Sequence, residues 1–280
     1  HNSDRDLYKT FKVSSMDSSR TSKENIAMLL KKYGKDSDVA RVRVFGEFPK
    51  GESDSLISLE VAERAVESIV NIDNIYTLHL GVDVARYGDD KTIIAPRIGG
   101  RVLNLQDYSK KDTMETAGNV LRTAKELKDK YPQVNKVIIK IDDDGLGAGV
   151  TDRLREVNRQ QKLGYIIIPV KNGAKAKEDD KYNKKITEMW DLMRERLDQN
   201  FSNFLQGEED IIEIPDDPTL IKQLSNRKYT VDSNGKLAIE DKQQYKKRTG
   251  ESPDRADAVL LSFEETGYED YYSLKGGKLY

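Results

Sequence analysis

Apolar and polar positions alternate from Tyr76 to Val84. Tyr76, Leu78, Leu80, Val82 and Val84 fall on one side and Thr77, His79, Gly81 and Asp83 on the other, which predicts a strand ending near Asp83. Thr92 to Ile98 and Arg101 to Leu105 flank Gly99-Gly100, a two-residue hairpin signal. Val137 to Ile141 and Tyr165 to Val170 read as two further strands. Elsewhere the apolar spacing is helical. Leu59, Ala62, Ala65, Val66 and Ile69 make one stripe; Ala117, Val120, Leu121, Ala124 and Leu127 make another, opened by Asp112 with Glu115 as a capping box. Val150, Leu154 and Val157 mark a helix after a glycine loop, and Ile186, Met189, Trp190, Met193 and Leu197 a long one. Asp217-Pro218 opens a helix carrying Leu220, Ile221 and Leu224, and Asn234-Gly235 joins Arg227 to Val231 with Lys236 to Glu240 as a hairpin.

Three antiparallel strands followed by helix–strand–helix–strand–helix imply an α/β fold: a mixed five-stranded sheet with helices packed on it, plus an added β-hairpin. This is the element order of the ribonuclease H-like fold. Residues 1–55 differ: a serine-rich lead-in, a short helix with Ile26, Leu29, Leu30 and Tyr33 on one face and Gly34 as its stop, and an extended run from Arg41 to Gly46 broken by Pro49 and Gly51. We expect an arm or linker over 1–55, the main domain over 56–266 and a loosely ordered tail over 267–280. A chain opening on His1 rather than Met is expected to be a piece of something longer.

Composition removes most chemistries. The 280 residues hold no cysteine, so disulfides, thiolate zinc sites and cysteine nucleophiles are out, and with only two histidines a serine–histidine triad would have to be built on His79. His79, on the strand face of Asp83, reads as a packed core residue. No apolar run is long enough to span a membrane, and the first residues lack a signal-peptide core. Net charge is −2, so binding to nucleic acid would depend on local patches. Two exist: Lys171 to Lys185, including Lys175 and Lys177, and the run Lys242, Lys246, Lys247, Arg248. The ordinary reading of the first is a solvated lysine-rich loop.

Carboxylates are what remains. Asp83 ends the first strand; as the bridging ligand of a divalent cation it would come from a rigid central element, while the plain alternative is a turn residue. Asp142, Asp143 and Asp144 follow the Val137 strand directly. Three adjacent carboxylates repel one another, and a cation such as Mg²⁺ relieves that; Asp142 is our first choice and Asp143 the second. In Ser252-Pro253-Asp254-Arg255-Ala256-Asp257, Ser252 reads as an N-cap and Pro253 as the first helical residue, placing Asp254 and Asp257 on one face. Asp254 could serve the helix dipole alone; Asp257 is too far in for that. Asp89 and Asp90 read as a turn, with Asp90 an outside candidate. Gly145-Leu146-Gly147-Ala148-Gly149 lacks the lysine ending of a P-loop, and tight packing beside the acids explains it better.

At these residues the chain resembles the nuclease domain of terminase large subunits, the DNA-packaging motors of tailed bacteriophages. The likeness rests on Gly81 to Thr92, on Asp142 to Val150, on Ser252 to Ala258, and on Tyr33 to Ser37 with Arg43 to Pro49, which resembles the segment joining the packaging ATPase to the nuclease. The resemblance implies an endonuclease that cuts concatemeric double-stranded DNA at the start and end of packaging with Mg²⁺ or Mn²⁺, two ions being expected. It places the catalytic acids on Asp83, Asp142 and Asp257, with Asp83 bridging the metals and Asp254 in a supporting role; with Asp143 from the acid run, we expect Asp83, Asp142, Asp143, Asp254 and Asp257 as the metal ligands. It also makes the hairpin with Lys242, Lys246, Lys247 and Arg248 a DNA-guiding element. Its implied partners are the ATPase domain, the small terminase subunit and the portal, in the cytoplasm of an infected bacterium. No Walker A sequence is present, so the ATPase half is expected to be missing, and Lys140 is less apolar than its strand would suggest. Three other readings compete: a resolvase or ribonuclease of the same fold, an actin-like or sugar-kinase-like nucleotide-binding domain, and a catalytically silent DNA-binding or motor-docking module.

Overall fold

The computed structural model describes residues 13–18, 20–33, 35, 40–47, 55–85, 91–109 and 111–265. The chain divides between Ser55 and Leu56 into two units. In the first, a short 3-10 turn, Ser15–Asp17, precedes α1 (Lys23–Tyr33), which buries Ile26. Ala40–Val44, expected as part of an extended run, is instead a π-helical turn closed by Phe45 N–H donating to the Ala40 carbonyl at 2.9 Å. Ala40 and Val44 are both fully buried, and the turn brings these two residues, four apart, to one side. Arg41 and Glu47 pair across this turn at 2.9 Å. The expected breaks at Gly34, Pro49 and Gly51, and the tail over 267–280, lie outside the described residues.

The second unit is built on one mixed sheet. Its strands are β1 (Thr77–Asp83), β2 (Lys91–Ile98), β3 (Arg101–Val102), β4 (Gln106–Ser109), β5 (Lys136–Asp142) and β6 (Ile166–Val170). β2 runs antiparallel to β1, while β5 runs parallel to β1 and β6 parallel to β5. β3 and β4 both pair with β2, at its opposite ends, so the expected third strand is present but broken in two. The break faces Pro96, whose carbonyl accepts from Leu103 N–H at 2.8 Å but whose nitrogen has no proton to return. The sheet thus has five strand positions, in the ribonuclease H-like order that the sequence implied. A separate hairpin of β7 (Tyr229–Val231) and β8 (Leu237–Ile239) forms around Asn234-Gly235.

Both faces of the sheet are covered, and β1 is buried on each side. Leu78, Leu80 and Val82 join Ile139 and Ile141 under α3 (Thr113–Lys130) and α4 (Gly147–Gln161). On the other face Ile93, Ala95 and Ile138 join α2 (Leu59–Val66), α5 (Lys185–Gln206), α6 (Pro218–Ser225) and α8 (Asp254–Phe263). Ile69, expected on the α2 stripe, lies past its end and is exposed.

The placement of α8 matters most. Its backbone lies directly on β1: a Cβ at Gly81 would stand 2.0 Å from the Ala258 carbonyl oxygen and 2.5 Å from the Ser262 nitrogen. The C-terminal carbonyls of α8, which have no partner within the helix, receive cations from the sheet. Arg97 donates to the Ser262 carbonyl through Nε at 3.0 Å and Nη2 at 2.8 Å, and its guanidinium lies 4.4 Å from the centre of the Phe263 ring. Lys140, fully buried, donates to the Ser262 and Glu264 carbonyls. That contact, with a positive group at the negative helix end, explains a lysine in the middle of an apolar strand.

Two predictions follow from this packing. Gly81→Ala should lower unfolding stability in urea by at least about 1–3 kcal/mol, since it forces α8 off the sheet. Gly118→Ala in α3, where a Cβ meets nothing within 4 Å, should be neutral or stabilising. A tolerated Gly81→Ala would contradict the close approach. His79 titrates at about 2, because burial disfavours its charged form and Arg97, Lys140 and Lys136 repel it. The unfolded chain therefore takes up a proton below about pH 6.5 that the folded one refuses, and stability falls as pH drops. Against His79→Gln, the native chain should lose about 2 kcal/mol more between pH 7.5 and pH 5; equal losses would mean that His79 is protonated in place.

Candidate functional site

β1 and β5 run side by side, with Val82 opposite Ile141, so their last residues, Asp83 and Asp142, emerge together at one edge of the sheet. The first turn of α8 brings Asp254 and Asp257 to the same place. Asp83, Asp254 and Asp257 are 2%, 8% and 3% exposed. That much buried carboxylate is unfavourable without a cation.

A cation is there. The ammonium of Lys242 lies 3.0 Å from Asp83 Oδ2, 2.9 Å from Asp254 Oδ1 and 3.5 Å from Asp257 Oδ2. Lys242 opens α7 (Lys242–Thr249), a helix capped by Asp241 that the sequence pattern did not reveal. Burial works against the charged ammonium, but Asp83, Asp257 and Asp254 outweigh it and hold Lys242 well above its usual range. Burial also pushes Asp83 well above the carboxylate range; Lys242 offsets part of that, and Asp254, Asp257 and Asp142 add to it. Asp142 is raised to about 6, chiefly by burial.

The three adjacent acids separate by their contacts. Asp142 faces the cluster, close enough to be influenced by Lys242 and Asp257. Asp143 turns its carboxylate to the Thr151 hydroxyl of α4, 2.9 Å away. Asp144 accepts from the Gly173 backbone N–H at 3.2 Å. Gly147 sets this turn: a Cβ there would lie 1.7 Å from the Asp142 carbonyl oxygen, so only glycine lets α4 start against the acid segment. The expected capping of α8 shifts by one residue. The helix begins at Asp254, Pro253 is its N-cap, and the Ser252 hydroxyl donates to Asp254 Oδ1 at 2.5 Å instead of capping the backbone.

A second layer supports these groups. The Trp190 indole N–H donates to Asp257 Oδ1 at 3.2 Å. The Arg227 guanidinium, almost fully buried, lies 5.5 Å from the Trp190 ring and 5.2 Å from the ring of buried Tyr245 on α7. α5 and α7, and with them Asp257 and Lys242, are held in one stack. Sequence reasoning had Trp190 only as a core residue and gave Arg227 and Tyr245 no role.

The basic residues fall in different places. Lys242, expected to face DNA, points into the acids, and this corrects that reading. Lys246 and Lys247 are exposed on α7. Arg248 is tied to Glu240 through Nε at 2.9 Å and Nη2 at 2.6 Å. Lys175 pairs with Asp179 at 2.5 Å. Lys177 is exposed, and its backbone N–H is fixed by Glu188 at 3.0 Å. Asp89 and Asp90 lie outside the described residues.

Among the described residues no group of three acids stands ready to grip a metal ion. The donor set nevertheless fits a hard divalent cation: oxygen ligands only, buried, and already organised around one positive charge. Asp83, Asp142, Asp254 and Asp257 would hold such an ion once the ammonium withdraws.

No protein-family model matches the chain. It is 31% identical over 137 residues to a probable terminase large subunit of Enterobacteria phage P7, covering 46% of this chain and 27% of the relative. The chain therefore spans about a quarter of the length of that curated relative. In fold it is similar to the nuclease domain of the large terminase subunit of bacterial virus Sf6, with TM-score 0.62 at 19% identity over 75% of this chain and 99% of that one. The same Sf6 domain, as a mutant with manganese and β-thujaplicinol, matches equally well, with TM-score 0.62. The resemblance read from the sequence thus meets a likeness in sequence to a terminase large subunit and a likeness in fold to a terminase nuclease domain.

Replacing Lys242 by Met removes the one positive charge that contacts these acids among the described residues. The metal-free variant should unfold several degrees earlier than the native chain, and Mn²⁺ should raise its Tm more than it raises that of the native chain. Equal Mn²⁺ shifts in a thermal melt would show that the ammonium and the metal do not share a position.

Proposed function

We propose that this chain is the metal-dependent endonuclease domain of a viral terminase large subunit, cutting concatemeric double-stranded DNA during genome packaging by two-metal-ion phosphodiester hydrolysis. The observation that carries this reading is the convergence of Asp83, Asp254 and Asp257 on one ammonium, with Asp142 beside Asp83 at the C-terminal ends of two parallel strands. The likeness to the Sf6 nuclease domain supports it.

Each residue has a part. Asp83, at the end of the central strand, would hold the metal together with Asp142 and Asp257, and Asp254, steadied by Ser252, would support them. Asp143, our further candidate for the shell, is tied to Thr151 and takes the smaller share. Bound Mg²⁺ or Mn²⁺ would polarise the phosphodiester and lower the pKa of the attacking water. Trp190 fixes the Asp257 carboxylate in orientation. Lys242 offsets part of the repulsion among the carboxylates before metal arrives, and would have to withdraw for metal to bind. Lys246 and Lys247, on the outer side of α7, and Lys175 and Lys177, on the segment whose Gly173 bonds Asp144, present positive charge to the DNA backbone. Residues 1–55 would be the arm to an ATPase domain, and 56–266 the nuclease. The small terminase subunit and the portal would be partners in the cytoplasm of an infected bacterium.

Plasmid incubated with Mn²⁺ should be relaxed and linearised by the native chain, and Asp83→Asn should lose more than about a hundredfold of that rate while keeping its circular dichroism spectrum. Full activity in the variant would refute the site. Preference for branched junctions or RNA–DNA hybrids over plasmid would move the assignment to a resolvase or ribonuclease. Stabilisation by ATP with no cleavage would move it to a nucleotide-binding domain.

A further inference from the structure

On the sheet face opposite the acids, β4 and α3 enclose a pocket of about 420 Å³ lined by Tyr108, Lys111, Glu115, Asn119 and Arg122, with Gly118 leaving the helix surface bare. Asn119 is the telling residue. It is only 8% exposed, and its orientation is fixed because Arg122 Nη2, which can only donate, contacts its Oδ1 at 2.5 Å. That leaves Asn119 Nδ2 buried with no acceptor among the described residues, an unfavourable state unless something in the pocket accepts from it.

The rest of the lining points the same way. The one carboxylate, Glu115, is already committed to Lys111 at 2.9 Å and to the Asp112 backbone N–H in the capping box. The Tyr108 hydroxyl donates to Gln106 Oε1 at 2.7 Å, which also accepts from Thr123 at 2.6 Å, so this wall is fixed. What remains uncommitted is the Asn119 amide N–H and most of the Arg122 guanidinium, both donors. A pocket with donors to spare, two cations and one neutralised acid selects an oxyanion, and Arg favours the fork geometry of phosphate.

We propose that this pocket binds a phosphate group, held by Asn119 and Arg122, and that the phosphate is one of the substrate DNA backbone. The identity of its source rests on the nuclease reading above; the pocket's chemistry does not. The position suits a backbone contact. Asp83 faces Ile93, and Ile93 faces Asp107, so β4 lies two strands from the catalytic acid, roughly 10 Å away. Each DNA strand carries one backbone charge per about 3.4 Å of helix axis, so that spacing corresponds to about three base pairs along the duplex axis. Asp107 turns toward the site, bonding Lys91 at 2.7 Å and reaching Arg255 of α8 at 3.4 Å, while its neighbour Tyr108 lines the pocket. One short strand therefore borders both sites.

The test uses two variants of the whole chain: Arg122→Glu, at an exposed position, and Asn119→Leu, which keeps the buried volume. Inorganic phosphate is titrated while the Asn119 side-chain amide is followed by NMR, and a 30-base-pair duplex is titrated in EDTA by fluorescence anisotropy. Phosphate should shift the Asn119 amide in the native chain and leave the amide region unmoved in Asn119→Leu. Arg122→Glu should weaken duplex binding about tenfold and reduce the salt slope by about one. An unmoved Asn119 amide in millimolar phosphate, with native duplex affinity in both variants, overturns the proposal. A phosphate-dependent shift with unchanged duplex affinity overturns the DNA assignment but leaves a site for a free phosphate. If the native chain binds no duplex, the nuclease reading fails, and the phosphate titration still decides the pocket separately.

Discussion

The arrangement depends on one contact between backbones: Gly81 of β1 against Ala258 of α8. A helix resting on side chains would stand about 8–10 Å from its neighbour, with slack for repacking. Here the missing Cβ lets the carbonyl of Ala258 approach the strand directly, and the position of the helix is set by hard contact. Arg97 and Lys140 anchor its far end from below. Asp254 and Asp257, on the first turn of the same helix, inherit this precision, and Asp83 sits two residues along the strand from the contact. Gly147 does the same for the second acid segment by admitting α4 against the Asp142 carbonyl. Two glycines therefore fix the relative positions of carboxylates drawn from three distant parts of the chain.

Bringing those carboxylates together opposes stability. Burial and mutual repulsion push Asp83 and Asp142 upward, and a protonated acid is a poor metal ligand. Lys242 eases the conflict in the absence of metal, because its charge offsets part of the upward push on Asp83 and Asp142. On the proposed reading the same ammonium sits where a divalent ion would bind. Lys242 is carried by α7, whose Tyr245 is locked to Arg227 and Trp190, so its withdrawal calls for rotation about its own side chain more than for movement of the helix. Flexible lysine suits this better than arginine, whose planar guanidinium would bind carboxylates in a fixed fork.

Much of this was legible in the sequence. Alternation placed β1, and a run straight into Asp142 placed β5, because strands ending in acids leave a clear mark. The hairpin at Gly99-Gly100 and the capping box at Asp112 were read for the same local reasons. Where the reading failed, the deciding force was not local. The third strand broke because Pro96, in the strand opposite, cannot return a hydrogen bond. The run from Arg41 coiled through the Phe45 N–H bond to the Ala40 carbonyl, and the alternation of arginine and valine from Arg41 to Val44 gave no sign of it. Lys242 stood in a run of like charges, and nothing in such a run says which lysine folds inward; its partners are more than ten residues distant at the nearest. Arg227 and Tyr245 gave no signal either, since a buried guanidinium between two rings exists only once three elements have met.

The choice among Asp142, Asp143 and Asp144 shows the same division of labour. Sequence could say that three adjacent carboxylates are an unfavourable run, but strand geometry alone sends neighbours to opposite sides. Asp142 continues β5 and so points toward α8, where Asp257 lies. Past it the chain turns, and the Thr151 hydroxyl and the Gly173 N–H each claim one of the other two carboxylates. Those bonds spread negative charge away from the cluster, and they anchor the turn to α4 and to the segment after β6. Asp143 and Asp144 thus act on the site mainly by holding still the backbone that carries Asp142, which is why a run of three acids can yield one inward-facing carboxylate without three mutually repelling ones.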